Sequence, residues 1–166
     1  MRTAAVLTVS DSSARGERPD RSGPATAELL RQEGFDVTHQ EIVSDDRPTI
    51  ESALVRLSDL VQLIVTTGGT GIAARDVTPE ATRAVCSKLI EGIPERMRAK
   101  GTANTAYAIL SRGVCGVRGR TLILNLPGSP TGASESLLAV VEILPHALDL
   151  LAGKTVHDDA HPPRDE

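Results

Sequence analysis

This sequence of 166 residues predicts an α/β fold with a mostly parallel sheet covered by helices on both faces. Three observations predict it. Short apolar runs alternate with amphipathic stretches along the chain, the order that builds strand–helix–strand crossovers. The run Val61–Val65, apolar except for Gln62, and the run Thr121–Leu126 read as strands buried on both sides. Polar loops follow the strand-like runs: Ser10-Asp11-Ser12, Ser44-Asp45-Asp46, Thr66 to Asp76, and Asn125 to Gly132. In a parallel sheet all four meet at the carboxyl edge, where α/β proteins bind ligands.

The elements follow in order. Ala4–Val9 is a first strand that ends in Ser10-Asp11-Ser12-Ser13. After a polar loop through Gly16 and Asp20, Ser22 is placed to cap a helix from about Pro24 to Glu33, stopped by Gly34. Phe35–Val43 alternates as a second strand. Ser44 to Pro48 turns into a helix with Ile50, Leu54 and Leu57 on one face, and Val61–Val65 follows. Thr78-Pro79-Glu80 opens a helix that turns Ala81, Val85 and Cys86 inward. A short helix is expected after Pro94, a strand over Ala106–Ser111, and a short hairpin over Val114–Gly119. The final helix is expected over Ala133–Leu151, kinked at Pro145. Residues 1–152 then form one domain, and 153–166 a polar tail whose His157 and His161 are spaced for a metal only if helical.

Composition narrows the function classes. Hydrophobic residues make up 40% and charged residues 24%, as in ordinary globular proteins. A net charge of -4, with Phe35 and Tyr107 the only aromatics, argues against a nucleic-acid surface. The N-terminus turns polar too soon for a signal peptide, and no apolar run approaches a membrane span, so a cytoplasmic protein is expected. Cys86 and Cys115 lack metal spacing and read as reduced core residues.

The chemistry concentrates in Thr66-Thr67-Gly68-Gly69-Thr70-Gly71 and the Arg75-Asp76 that follows. Glycines bring backbone close to a ligand, and amides near a helix start can hold a phosphate. The interleaved threonines add hydroxyl donors. The stretch is no P-loop, since no G-x-x-x-x-G-K-[ST] is present, and its helix starts too late for a dinucleotide fingerprint. Asp11, Asp20, Asp45, Asp46 and Asp76 are the carboxylates near these loops. Carboxylates beside a polyphosphate call for a divalent cation, most simply Mg2+. Asp46 has a capping role open to it, which leaves Asp45 for the site; Asp76 is open either to the site or to ordering its own loop. The histidines lie outside these loops, and no G-x-S-x-G is present.

The stretches T-T-G-G-T-G-I-A-A-R-D-V-T-P-E-A-T and L-S-R-G-V-C-G-V-R-G-R-T-L-I-L-N-L-P-G-S-P, with T-V-S-D-S and D-R-S-G-P before them, resemble the MogA/MoaB family of molybdenum cofactor biosynthesis. The resemblance spans about Thr3 to Ala152. It implies a three-layer α/β sandwich of Rossmann-like topology, assembled as a homotrimer or hexamer. It implies an adenylyltransferase that moves AMP from Mg-ATP to the terminal phosphate of molybdopterin, releasing pyrophosphate, with hand-over to a molybdate-inserting MoeA-type protein. By position, Asp45 and Asp76 match the family's catalytic, metal-holding aspartates. Gly68, Gly69, Thr70 and Gly71, with Thr67 and Ser10 beside them, match the nucleotide and phosphate loop. Ser111, Asn125, Pro127, Gly128 and Ser129 fall in the molybdopterin region. The I-A-A-R-D segment is nearer the MoaB pattern and N-L-P-G-S-P nearer MogA. A protein of this fold that binds molybdopterin or nucleotide without turnover is the alternative, and an unrelated phosphate-binding enzyme a third.

Overall fold

A computed structural model describes residues 1–154 of the chain; the His157–His161 pair and the rest of the tail lie outside them. The strands are β1 (Arg2–Val9), β2 (Phe35–Val43), β3 (Leu63–Thr67), β4 (Lys88–Leu89), β5 (Cys115–Arg118) and β6 (Thr121–Leu126). They form one six-stranded sheet in the order β2-β1-β3-β6-β5-β4. β2, β1, β3 and β6 are parallel, and β5 and β4 continue antiparallel. The mostly parallel α/β class is therefore as the sequence predicts; the hairpin expected over Val114–Gly119 is instead β5 paired with β6 across Gly119-Arg120, so that segment supplies only one of its strands.

The helices are α1 (Asp11–Ala14), α2 (Ser22–Gln32), α3 (Arg47–Ser58), α4 (Thr78–Val85), α5 (Gly92–Gly101), α6 (Pro130–Leu138) and α7 (Leu144–Leu151). Alternation along the strands splits the core in two. Ala4, Val6, Leu63, Val65, Leu122 and Leu124 face a layer that includes Leu30, Met97, Leu137 and Leu148. Ala5, Leu7, Ile64 and Ile123 face Ile50, Leu54, Leu57 and Ala81. A side-chain period of two on strands buried on both sides requires this partition. Among the described residues no helix is long and apolar enough to cross a membrane.

Several boundaries differ from the sequence expectations, each for a local reason. Ala106–Leu110 is a 3-10 helix, not a strand: the Thr105 side chain caps it at Tyr107 N (3.3 Å), and Tyr107 and Ile109 stay exposed. The final helix is two. α6 begins at Pro130, capped by Ser129, and a 3-10 turn at Val141–Ile143 precedes α7. Pro145 has no N–H and its ring would clash with the Val141 carbonyl in a continuous helix, so it starts a helix instead of kinking one. α2 begins at Ser22, whose hydroxyl bonds Thr67 (2.9 Å) and caps nothing. Asp20 accepts from Gly23 N (3.0 Å) in its place. The Cys115 thiol is pushed up by burial to about 12 and Cys86 to about 11, and both are free.

Candidate active site

The chain leaves β1 to one side to make β2 and crosses to the other side to make β3. This reversal opens a crevice beyond the carboxyl ends of β1 and β3. The loop after β3 is built there under tight constraint. Gly68 has φ 95°, and a Cβ on it would lie 2.2 Å from the Val9 carbonyl oxygen. Gly69 has φ 66°, and a Cβ there would lie 2.2 Å from Thr78 Oγ1. Only glycine accommodates both the conformation and the approach.

The carbonyls of this loop are held from below. Thr78 Oγ1 donates to Gly68 O (3.0 Å) and Thr78 N to Gly69 O (3.1 Å). Thr78 is thus the first residue of α4 and a fastener of the loop, not a cap. Arg112 fastens the rest: its amide donates to Thr70 O (2.8 Å), Nε to Gly71 O (2.7 Å) and Nη2 to Asp76 O (2.7 Å), while Nη1 pairs with Glu80. With the carbonyls occupied, the amides of Gly69, Thr70 and Gly71 meet no acceptor among the described residues. They are donors an anion can use. The threonine hydroxyls before the glycines are not: Thr67 is bonded to Ser22 and Thr66 to Asn125, both fully buried.

Two carboxylates reach the same cavity. Asp45 Oδ2 accepts from Asp11 N (2.8 Å), and Asp11 Oδ1 accepts from Asp45 N (3.0 Å), a reciprocal clasp between the loops after β1 and β2. Asp11 in turn holds Arg75 through two bonds of 2.6 and 2.8 Å, which keep its carboxyl below the usual range. The Asp45 carboxyl is pushed up, by burial first and then by the charges of Asp11 and Asp76. Asp76 Oδ2 accepts from Ala73 N (2.9 Å), so Asp76 orders its own loop and still lines the cavity. Asp46 caps α3 through Thr49 N (3.1 Å) and Thr49 Oγ1 (2.5 Å).

Two neighbouring cavities share Gly128 and Ser129. One, of about 500 Å³, is lined by Ser10, Thr67, Gly68, Gly69, Asp45 and Asp76, and also by Arg18 and Arg21. The other, of about 320 Å³, presents mostly apolar surface from Met97, Tyr107, Leu110 and Pro127, beside Thr70, Gly71 and Ser111. A hollow of about 600 Å³ near β4 adjoins the apolar cavity at Pro94, Arg98, Ser111 and Gly113 and touches neither aspartate. Ser10 Oγ and Ser129 Oγ also cap α1 and α6. Asn125 is fully buried behind the cavities: its Nδ2 donates to Thr66 and Thr82, and its Oδ1 accepts from Val114 N. Sequence reasoning missed Arg112, Thr78, Arg18 and Arg21 as site residues. The motifs D-R-S-G-P and L-S-R-G-V contained Arg21 and Arg112, but nothing in them showed what Arg112 holds, since its partners are about forty positions away.

A dication fits the carboxylate pair. Asp45 carries its charge against burial and against Asp11 and Asp76, a conflict a cation would relieve. Among the described residues no cluster of three His, Cys, Asp or Glu side chains converges.

The family model described as "Probable molybdopterin binding domain" matches residues 5–146. A Helicobacter pylori protein named molybdopterin adenylyltransferase is 44% identical over 152 residues, covering 89% of this chain and 86% of its own length. A Staphylococcus carnosus protein named molybdenum cofactor biosynthesis protein B is 45% identical over 134 residues, 78% of this chain and 77% of its own. The crystal structure of a molybdopterin biosynthesis enzyme MoaB from Thermus thermophilus superposes with a TM-score of 0.87 at 52% identity, covering 93% of this chain and 98% of that one.

Proposed function

The chain belongs to the probable molybdopterin binding domain family, and from that premise we propose that it is an enzyme of molybdenum cofactor biosynthesis that transfers AMP from ATP to the terminal phosphate of molybdopterin. A phosphate oxygen of molybdopterin bonds to the α-phosphorus of ATP. The bond from that phosphorus to the bridging oxygen of the β-phosphate breaks, and its electron pair leaves with pyrophosphate. The single observation that carries this is the pairing of the two cavities at Gly128–Ser129: one polar, with two aspartates and the unpaired Gly69 amide, the other mostly apolar, about 320 Å³ in volume, with Thr70 and Gly71 in its lining.

The attacking group is a phosphate monoester, largely ionised at neutral pH, so no side chain needs to act as a strong base. What the protein must supply is alignment and relief of charge repulsion. The amides of Gly69, Thr70 and Gly71 take phosphate oxygens, and Thr78 and Arg112 keep those amides in place. Asp45 and Asp76 would hold Mg2+, which when bound neutralises phosphate charge. Ser111, Pro127 and Ser129 border the heterocycle, and Asn125 sets the wall behind them.

We also propose that the enzyme works in the cytoplasm as a homotrimer or a hexamer and passes its product to a molybdate-inserting MoeA-type protein. Exposed Tyr107, Ile109, Leu138 and Leu150 suit subunit contacts. Light scattering should return a multiple of three subunits, and a stable monomer at micromolar concentration would contradict it. The activity is tested by mixing the purified protein with molybdopterin and Mg-ATP and following pyrophosphate together with adenylyl-molybdopterin. Tight molybdopterin binding with no pyrophosphate would mark a binding protein instead.

A further inference from the structure

The charged run Arg15-Gly16-Glu17-Arg18-Pro19-Asp20-Arg21 lies between α1 and α2 on the wall of the cavity that holds Asp45 and Asp76. Its two acids are already engaged. Glu17 takes Arg15 through bonds of 2.9 and 3.0 Å. Asp20 accepts from Thr8 Oγ1 on β1 (2.7 Å) and from Gly23 N on α2 (3.0 Å), which ties the run to the sheet. The backbone is fixed further by Glu17 N and Arg18 N, both donating to Ser12 O. What remains is Arg18 and Arg21, exposed, flanking the anchored Asp20, and without an ion pair among the described residues. Arg75, the other arginine near the aspartates, is taken by Asp11.

Two arginines without carboxylate partners, lining the same cavity as the unpaired Gly69 amide, are suited to a group with several negative oxygens. We infer that Arg18 and Arg21 clamp the β- and γ-phosphates of the nucleotide and receive the charge that develops as pyrophosphate leaves. The assignment rests on the adenylyl-transfer function proposed above. It divides the labour of the cavity. The aspartates and glycine amides serve the α-phosphate and the reacting bond, and the arginines serve the leaving group. It also sets a specificity: with the β- and γ-phosphates on the arginines, the cavity favours nucleoside triphosphate over monophosphate.

The test is calorimetric binding of inorganic pyrophosphate and of AMP, each with magnesium, to wild type, Arg18→Ala, Arg21→Ala and the double variant. Arg31→Ala/Arg120→Ala is the control, since it removes the same charge from exposed sites outside the cavity. Each single cavity variant should weaken pyrophosphate binding about tenfold and the double roughly fiftyfold, with AMP binding within about twofold. Arg21→Lys should recover part of the loss, and all variants should melt like wild type because neither side chain holds the fold together. The wild-type affinity should also fall more steeply with salt than that of the double variant. Pyrophosphate binding by the double variant within threefold of wild type, or an equal loss in the control, overturns the inference. A wild type that adenylylates molybdopterin while the double variant binds pyrophosphate normally sinks the clamp and leaves the function standing. A wild type without turnover whose pyrophosphate binding still depends on the two arginines does the reverse.

Discussion

Adjacent aspartates at 45 and 46 offer a sharp test, because the structure gives them opposite work. Asp46 faces Thr49 and caps α3, and its carboxyl is held down by those bonds. Replacing it with Ala removes an N-cap, which should lower Tm by about 3 °C and leave turnover within about twofold. Asp45→Asn keeps an oxygen to accept from Asp11 N, so the clasp between the two loops survives. It removes a charge that burial, Asp11 and Asp76 all oppose. The variant should therefore melt no lower than wild type at pH 7, while single-turnover adenylyl transfer falls by roughly 10²–10³-fold, the usual loss for one electrostatic contact at the reacting centre. The pH dependence has a definite sign. The folded Asp45 carboxyl titrates above its ordinary value, so its ionised form disfavours folding at neutral pH. That penalty fades as pH falls through its raised range toward the ordinary one. The stability advantage of Asp45→Asn should shrink over that window and vanish below it, as thermal melts from pH 7 to pH 3 would record. Loss of activity in Asp46→Ala with full activity in Asp45→Asn would refute the assignment.

Other outcomes follow from the same contacts. Asn125→Ala strips partners from Thr66, Thr82 and Val114 N, and should cost about 3 kcal/mol and lower Tm by about 10 °C, with molybdopterin affinity of the folded protein unchanged; lost affinity at an unchanged Tm would make Asn125 a substrate contact. Arg112→Lys cannot reach Gly71 O, Asp76 O and Glu80 together, so kcat should drop about tenfold with a near-normal fold, as steady-state kinetics would detect. Asp76→Asn retains an acceptor for Ala73 N and should keep its loop while losing roughly 10²-fold in kcat; turnover within a few-fold of wild type would reduce Asp76 to a loop-ordering role. Glu41 and Glu80, both held below the ordinary carboxylate range by arginine bonds, contribute stability that is complete above that range. It is lost as pH falls through the range to their lowered values, so Glu80→Gln should flatten the acid side of a melting curve.

The sequence alone determined whatever depends on neighbours along the chain. Strand alternation and the polar loops after each strand named the α/β class and the edge that carries the site. Gly68 and Gly69 marked the tight loop, Asp46 the cap of α3, and the D-V-T-P run the start of α4. The capping role open to Asp46 left Asp45 for the site, and the resemblance to the MogA/MoaB family pointed to Asp76; tertiary structure brings both to one cavity. Other features depended on contacts across the fold. The run Ala106–Leu110 is apolar enough for a strand, but the folded chain sets it as a 3-10 turn packed against α5, and β4 is the edge strand of the sheet. Thr67 and Asn125 look like donors to a ligand until packing buries them and gives each a partner. Arg112 fastens a loop some forty residues upstream, and Arg18 and Arg21 remain unpaired only because Glu17 and Asp20 are held by other groups. Hydrogen bonds are saturable: a side chain's availability to a substrate depends on which partners the folded chain has already given it, and that allocation is made in three dimensions.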